Sequence, residues 1–271
     1  MPDVRNEIAV EPRPHDLIRA MNLPHWPYPK TIAHRGAGKL APENTLAAIR
    51  HGVSFGYRAT EIDVKLSGDG TLLLMHDDTT NRCSDGRGRV AAKTWHQLAL
   101  LDAGSWHSPA YAGEPIPSYW RVAKYCIANR VQLNTEIKPC IGRERETGAA
   151  VALETQALFS DSAHVALKPL LSSFYTDALI AARDAAPEFD RAHLFENPLP
   201  ADWLARCTAV GAIAMDANWR TLTQEIVAKA HANDLRVACY TCNDLADAER
   251  LWSWGVDSVI TDAVDKIGFK F

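Results

Sequence analysis

"TIAHRGAGKLAPENTLAAI", residues 31–49, joins a short apolar run to an amphipathic segment through a glycine-loosened turn. Thr31, Ile32 and Ala33 read as a buried strand. Pro42, followed by Leu46, Ala47, Ala48 and Ile49, reads as the first turns of a helix, where proline is tolerated. A strand that feeds a helix is half of a parallel βαβ unit. In such folds functional groups collect just past the C-terminal ends of the strands, which is where His34 and Arg35 fall.

The unit recurs along the chain. Strand candidates at 31–34, 60–64, 131–137, 169–172, 192–195, 212–215, 236–240 and 258–261 alternate with helix candidates at 46–55, 119–128, 149–159, 177–184, 223–232 and 245–254. Eight strands alternating with helices predict an α/β fold of the (β/α)8 TIM-barrel type; a doubly wound open sheet is the other arrangement the pattern allows. One stretch breaks the alternation. "EIDVKLSGDGTLLLMHDD", residues 61–78, holds two apolar runs separated only by "SGDG", which is too short for a parallel crossover and long enough for a hairpin. Residues 71–76 are therefore expected to fold back antiparallel on the second barrel strand, bringing His76 to the level of Asp63. The loop-rich stretch from about 77 to 117 is expected to form a small cap inserted at the mouth. Residues 26–271 then read as one domain, and the polar, proline-rich 1–25 as an N-terminal extension, flexible or packed on the surface.

The bulk composition narrows the function. A net charge of −4 speaks against nucleic acid or an anionic membrane as the main partner. No apolar run approaches the roughly 20 residues of a membrane span, and the first 30 residues lack the pattern of a secretory signal. A cytoplasmic enzyme acting on a small molecule is expected, its oligomeric state open, with a dimer allowed. Six irregularly spaced cysteines then read as free thiols. Cys239 and Cys242 form a C-x-x-C, but they lie on an expected strand, on opposite faces, without a second pair.

The chemistry-bearing residues converge on one expected mouth. Glu61 and Asp63 are two apart on a strand and project to one face, with Ile62 and Val64 turned to the helix layer. In "VQLNTEIKP", Asn134, Glu136 and Lys138 share a face in the same way, and Pro139 ends the strand. Three inward carboxylates need a positive partner. An all-oxygen set favours a hard divalent cation, Mg²⁺ first, with Mn²⁺ or Ca²⁺ also suitable. Arg35 and Lys138 add positive charge beyond what that ion requires, which implies an anionic substrate, and the arginine fork suits phosphate. His34 and His76 complete the set as two groups able to share acid and base work, His34 as acid and His76 as base or the reverse. The grouping fits cleavage of a phosphodiester.

"AHRG", "PENT", "EIDV", "MHDDTTNR", "LNTEIKP", "LSSF" and "GVDSVITD" occur in an order that resembles the glycerophosphodiester phosphodiesterase family. "WPYPKTIAHRGAGKLAPENTLAAI" and "LDAGSW" look especially like its cytoplasmic bacterial, UgpQ-type members. The resemblance runs from about residue 26 to 271. It implies a TIM-barrel enzyme that hydrolyses glycerophosphodiesters such as glycerophosphocholine and glycerophosphoethanolamine to sn-glycerol 3-phosphate and an alcohol. By motif position it implies His34 and His76 as the catalytic pair and Glu61, Asp63 and Glu136 as ligands of one divalent metal. Arg35 and Lys138 fall on phosphate contacts, Glu43 on a residue that orients them, and Tyr240 of "YTCND" on a substrate-facing aromatic. The stretch before Trp26 has no counterpart in the family pattern, and "MNLPHWPYP" resembles the start of its short members, so initiation at Met21 is a reading beside Met1.

Two other functions fit the same residues. A phospholipase C or D acting on lipids or lysolipids would use the same metal and histidines but needs an apolar docking rim. A non-catalytic barrel that binds a phosphate ester would tolerate loss of an imidazole or carboxylate, and none is missing. Trp106, in the loop-rich stretch, is a weaker candidate for a substrate contact. The remaining histidines have no motif context and read as structural or exposed.

Overall fold

The computed structural model describes residues 23–271. The expected N-terminal extension therefore lies almost wholly outside the described residues, and the Met1 and Met21 starts lie wholly outside them. Eight parallel strands close into a barrel: β1 (Thr31–Ala33), β2 (Ala59–Leu66), β4 (Gln132–Ile137), β5 (Leu170–Ser173), β6 (Arg191–Phe195), β7 (Ala214–Asn218), β8 (Arg236–Tyr240) and β9 (Ser258–Thr261). Closure runs through β1, whose Ile32 pairs with Ile260 of β9 and whose Ala33 pairs with Thr60 of β2. The ninth strand, β3 (Leu72–Leu74), lies antiparallel to β2. It is shorter than the expected 71–76, yet the hairpin does the expected work. The Met75 N–H donates to the Asp63 carbonyl at 3.1 Å, which seats His76 beside Asp63.

Helices α1 (Leu46–Ser54), α3 (Tyr119–Ala128), α4 (Glu144–Leu158), α5 (Thr176–Ala185), α6 (Trp203–Val210), α7 (Gln224–His231) and α8 (Leu245–Ser253) accompany the barrel strands, and the short α2 (Trp95–Ala99) lies between β3 and α3. The main core is the layer between barrel and helices. Ile62 and Val64 of β2 join Leu133 and Ile137 of β4 there, against Tyr119, Val122, Val151 and Leu179. Burying such side chains supplies roughly 1.5–3 kcal/mol each before entropy is subtracted. The barrel interior is filled from below by chain entering at the bottom. Trp26 and Tyr28 pack with Leu170, Ala192 and Ala214, and the Trp26 indole N–H donates to Ser258 Oγ at 3.0 Å. Among the described residues no helix is long and apolar enough to cross a membrane.

Three local expectations need correction. Pro42 precedes the first helix instead of opening it. Thr45 is the N-cap, its hydroxyl accepting from Ala48 N at 3.1 Å and donating to the Pro42 carbonyl at 2.7 Å. Helix α4 starts at Glu144, five residues before the expected start at 149, because its polar first turns carry no apolar periodicity. Cys239 and Cys242 do not point to opposite sides. The strand ends at Tyr240, the backbone turns, and both thiols bury in one apolar cluster, unpaired.

The turn after β1 positions the site. Gly38 sits at φ +58°, and a methyl group there would overlap the backbone of Asp262 at the end of β9. Gly38→Ala is therefore expected to cost about 2–4 kcal/mol of stability in denaturant unfolding. Gly56→Ala, at φ +89° but with open space around its Cα, should cost only about 1 kcal/mol.

Candidate active site

The parallel register of β2 and β4 sets Asp63 opposite Glu136 and Glu61 opposite Asn134. One oxygen from each of Glu61, Asp63 and Glu136 lies within 4.8 Å of the others, and all three side chains are buried. Each carboxylate is held by one oxygen. Glu61 Oε2 accepts the Arg35 backbone N–H at 3.0 Å, Asp63 Oδ2 accepts Asn44 Nδ2 at 2.7 Å, and Glu136 Oε1 accepts Lys138 Nζ at 2.7 Å. Glu61 Oε1 and Asp63 Oδ1 are buried with no hydrogen-bond partner. Orphaned, converging carboxylate oxygens are costly unless a cation takes them. The donor set therefore fits a hard divalent ion.

The electrostatics agree with that fit. Burial, followed by the charges of Asp63 and Glu136, pushes the Glu61 carboxyl well up. Burial and Asp63 push Glu136 up to about 7. Asp63 goes the other way. Burial opposes its ionisation, but Arg35, Lys138, His76 and the Asn44 amide outweigh it, and its carboxyl is held below the usual range. Arg35 Nε stands 3.3 Å from Asp63 Oδ2 and Lys138 Nζ 3.7 Å from Asp63 Oδ1. Arg35 reaches this position with a left-handed backbone, φ +50°, a conformation that costs an L-residue roughly 1–2 kcal/mol. Its carbonyl accepts from Asn44 N at 3.0 Å, so the same residue that grips Asp63 also braces the strained turn.

Each imidazole has a carboxylate behind it. His34 Nδ1 donates to Asp262 Oδ1 at 2.6 Å, and His76 Nδ1 donates to Asp77 Oδ1 at 2.7 Å. An ionised carboxylate only accepts, so both rings carry their proton on Nδ1 and leave Nε2 free. Asp262 is held in turn by Asn243 Nδ2 at 3.1 Å, and Asp77 by Arg82 Nε at 2.8 Å. Burial lowers the His76 pKa, and the Arg35 and Lys138 charges add to that against the Asp63 and Asp77 carboxylates. Glu43 stands behind Arg35, bonded to Arg35 Nη1 at 2.8 Å and forked by both terminal nitrogens of Arg82 at 2.7 and 2.9 Å.

Of the residues singled out in the sequence, His34, Arg35, Glu61, His76, Glu136 and Lys138 line one cavity of about 180 Å³, and Tyr240 closes its far side. Asp63 lies beneath them and Glu43 behind. Trp106 does not reach the cavity; its indole N–H donates to the Ala103 carbonyl at 2.8 Å.

Residues 34–266 match the glycerophosphoryl diester phosphodiesterase family. The chain belongs to that family. A glycerophosphodiester phosphodiesterase of Caldanaerobacter subterraneus is 30% identical over 235 residues, which cover 85% of this chain and 93% of that protein. One of Bacillus subtilis is 27% identical over 252 residues, 87% of this chain and 84% of that one. Among solved structures, an Oleispira antarctica phosphodiesterase in complex with the product sn-glycerol-3-phosphate superposes with a TM-score of 0.79 at 33% identity, covering 90% of this chain and 95% of that one. As a member of the family the protein is a phosphoric diester hydrolase.

In this phosphodiesterase the sequence reading had passed over Asn44, Asp77, Arg82, Asn243 and Asp262. Four of them stand inside quoted motifs and Asn243 in "YTCND", so the signal was position beside a candidate residue. It had also passed over Asp216. That side chain lines the cavity from β7, is fully buried, and neither of its oxygens has a hydrogen-bond partner. Burial, then the Glu136 charge, pushes Asp216 up to about 8, with the Asn134 amide partly opposing. A folded value raised above the unfolded one near 4 gives stability that is full below pH 4 and lost as pH climbs through 8. Asp216→Asn is thus expected to raise stability at pH 9, by on the order of a few kcal/mol, and to change it little at pH 4, as read from thermal unfolding at the two pH values.

Proposed function

We propose that this protein is a divalent-metal-dependent glycerophosphodiester phosphodiesterase that releases sn-glycerol 3-phosphate and an alcohol from substrates such as glycerophosphocholine and glycerophosphoethanolamine. The observation that carries the reading is the half-satisfied carboxylate trio between two carboxylate-backed imidazoles and two cations. We take residues 26–271 as one catalytic domain, with the stretch from about 77 to 117 as a cap that supplies Asp77 and Arg82.

Arg35 and Lys138 receive the phosphoryl group, the guanidinium by its fork and the ammonium as a point charge. Both are already fixed by Asp63 and Glu136, so little reorganisation is needed when the substrate's charge arrives. Glu61, Asp63 and Glu136 would hold the metal, Mg²⁺ by the hardness of the oxygen set, and when bound it supplies Lewis-acid stabilisation of charge on the phosphoryl oxygens. His76, whose lowered pKa keeps it neutral near pH 7, takes the proton of the attacking hydroxyl at Nε2. His34, which must enter the step as the imidazolium with a second proton on Nε2, gives that proton to the departing alcohol oxygen as its P–O bond breaks. Asp77 and Asp262 hold the rings, Asp77 stabilising the imidazolium that forms on His76 and Asp262 the one that His34 brings to the step.

Release of glycerol 3-phosphate from several glycerophosphodiesters, with and without chelator, tests the assignment; activity undiminished by chelation would sink the metal requirement. His34→Ala and His76→Ala should each lower kcat by about 10²–10⁴-fold with the fold retained. Because Glu136 holds its proton up to about pH 7, a cation must displace that proton, and affinity weakens as pH falls. Mg²⁺ or Mn²⁺ titrations should show roughly tenfold weaker binding at pH 6 than at pH 8, and proton release that grows toward acid pH.

A further inference from the structure

Arg82 stands on the cap, outside the cavity lining, with its side chain 44% exposed. Its guanidinium nevertheless presents two edges to two different carboxylates. Nε and Nη2 donate to Asp77 Oδ2 and Oδ1 at 2.8 and 2.9 Å, while Nη1 and Nη2 donate to Glu43 Oε2 and Oε1 at 2.7 and 2.9 Å. Nη2 is common to both forks. The two oxygens it touches are those already committed to the site. Asp77 Oδ1 also accepts the His76 Nδ1–H at 2.7 Å, and Glu43 Oε1 also accepts Arg35 Nη1 at 2.8 Å. One nitrogen thus lies between the anchor of an imidazole and the anchor of the phosphate-facing guanidinium.

Other contacts fasten the cap to the barrel. The buried Lys65 Nζ donates to Asp78 Oδ1 at 2.9 Å, Val90 N to the Asp78 carbonyl at 2.9 Å, and Gly68 N to the Lys93 carbonyl at 2.7 Å. The backbone beside Asp77 is therefore held without Arg82. What Arg82 adds is the direction of two carboxylates that would otherwise repel each other. A planar guanidinium can grip two carboxylates bidentately at once, and an ammonium cannot. We infer that Arg82 is a positioning residue that sets His76 and Arg35 relative to each other through Asp77 and Glu43, so that the proton acceptor and the phosphate clamp are aligned as one unit. The inference rests on the phosphodiesterase reading above and adds to it a residue outside the cavity.

Steady-state hydrolysis of glycerophosphoethanolamine by wild type, Arg82→Ala and Arg82→Lys tests it, each variant first shown by its thermal melt to be folded. Arg82→Lys carries the test should the alanine variant not fold. Misplacement of reacting groups by about 1 Å costs about 10²-fold, and here the loss is expected to divide. Arg82→Ala should lower kcat about tenfold, because the base is loosened, and raise KM about tenfold, because the clamp is loosened too. Arg82→Lys should recover at most one of the two parameters. Because the Arg82 side chain reaches solvent, guanidinium ion added at millimolar concentration should restore kcat/KM of Arg82→Ala about tenfold, and ammonium ion should restore little. A purely structural role would not answer to the added ion. Unchanged kinetics in Arg82→Ala, a change confined to kcat or to KM, full recovery by lysine, or no response to guanidinium would overturn the inference. A wild type that hydrolyses no glycerophosphodiester would remove the phosphodiesterase reading, and the inference with it.

Discussion

Three like charges forced together inside a barrel are the constraint around which this molecule is arranged. Glu61 and Asp63 reach one face because a strand repeats every two residues, and the register of β2 against β4 brings Glu136 level with Asp63. Burial and, after it, that repulsion raise the carboxyls of Glu61 and Glu136. Two basic groups and an amide nearby answer it. Arg35 bends into a left-handed turn to reach Asp63, Lys138 lies across Glu136, and Asn44 spends both ends of its amide on Asp63. What remains unanswered is one free oxygen on Glu61 and one on Asp63, the unmet demand that a bound cation would satisfy.

The barrel was readable because its signals are local and repeated. Short apolar runs, crossover-length spacings and the four-residue "SGDG" link each act within a few residues, and together they specify eight staves and a hairpin. Helix α6 was not among the sequence candidates, although Trp203, Cys207 and Val210 have helical spacing and Gly211 ends it in a left-handed conformation. A proline-rich lead-in hid it. The early part of α4 escaped for the opposite reason, being polar all round before its buried face begins.

The candidate site divides along the same line. Residues on strand ends could be placed from periodicity, since direction follows from parity along the strand. Asp262 and Asp77 could not be assigned roles that way. Each sits in a turn, where parity no longer says where a side chain points, and the partners arrive from elsewhere: Asn243 for one, Arg82 for the other. Asp216 illustrates the harder case. On sequence alone it is one acid in "AIAMDANW"; only the closed barrel shows that it faces inward with nothing to satisfy it. Arg82 links two loops that share no sequence neighbourhood, reaching Glu43 across 39 positions while holding Asp77 of its own loop.

The contact between His34 and Asp262 spans 228 positions, from the first stave to the turn that follows the last. During synthesis the imidazole leaves the ribosome early and waits for almost the whole polypeptide before its carboxylate emerges. A nascent or C-terminally clipped chain can already carry the trio of acids from β2 and β4, yet its first imidazole lacks the anchor that fixes tautomer and aim. Anchoring of that ring therefore waits on docking of the final strand, so the first imidazole and the last turn are set in place together.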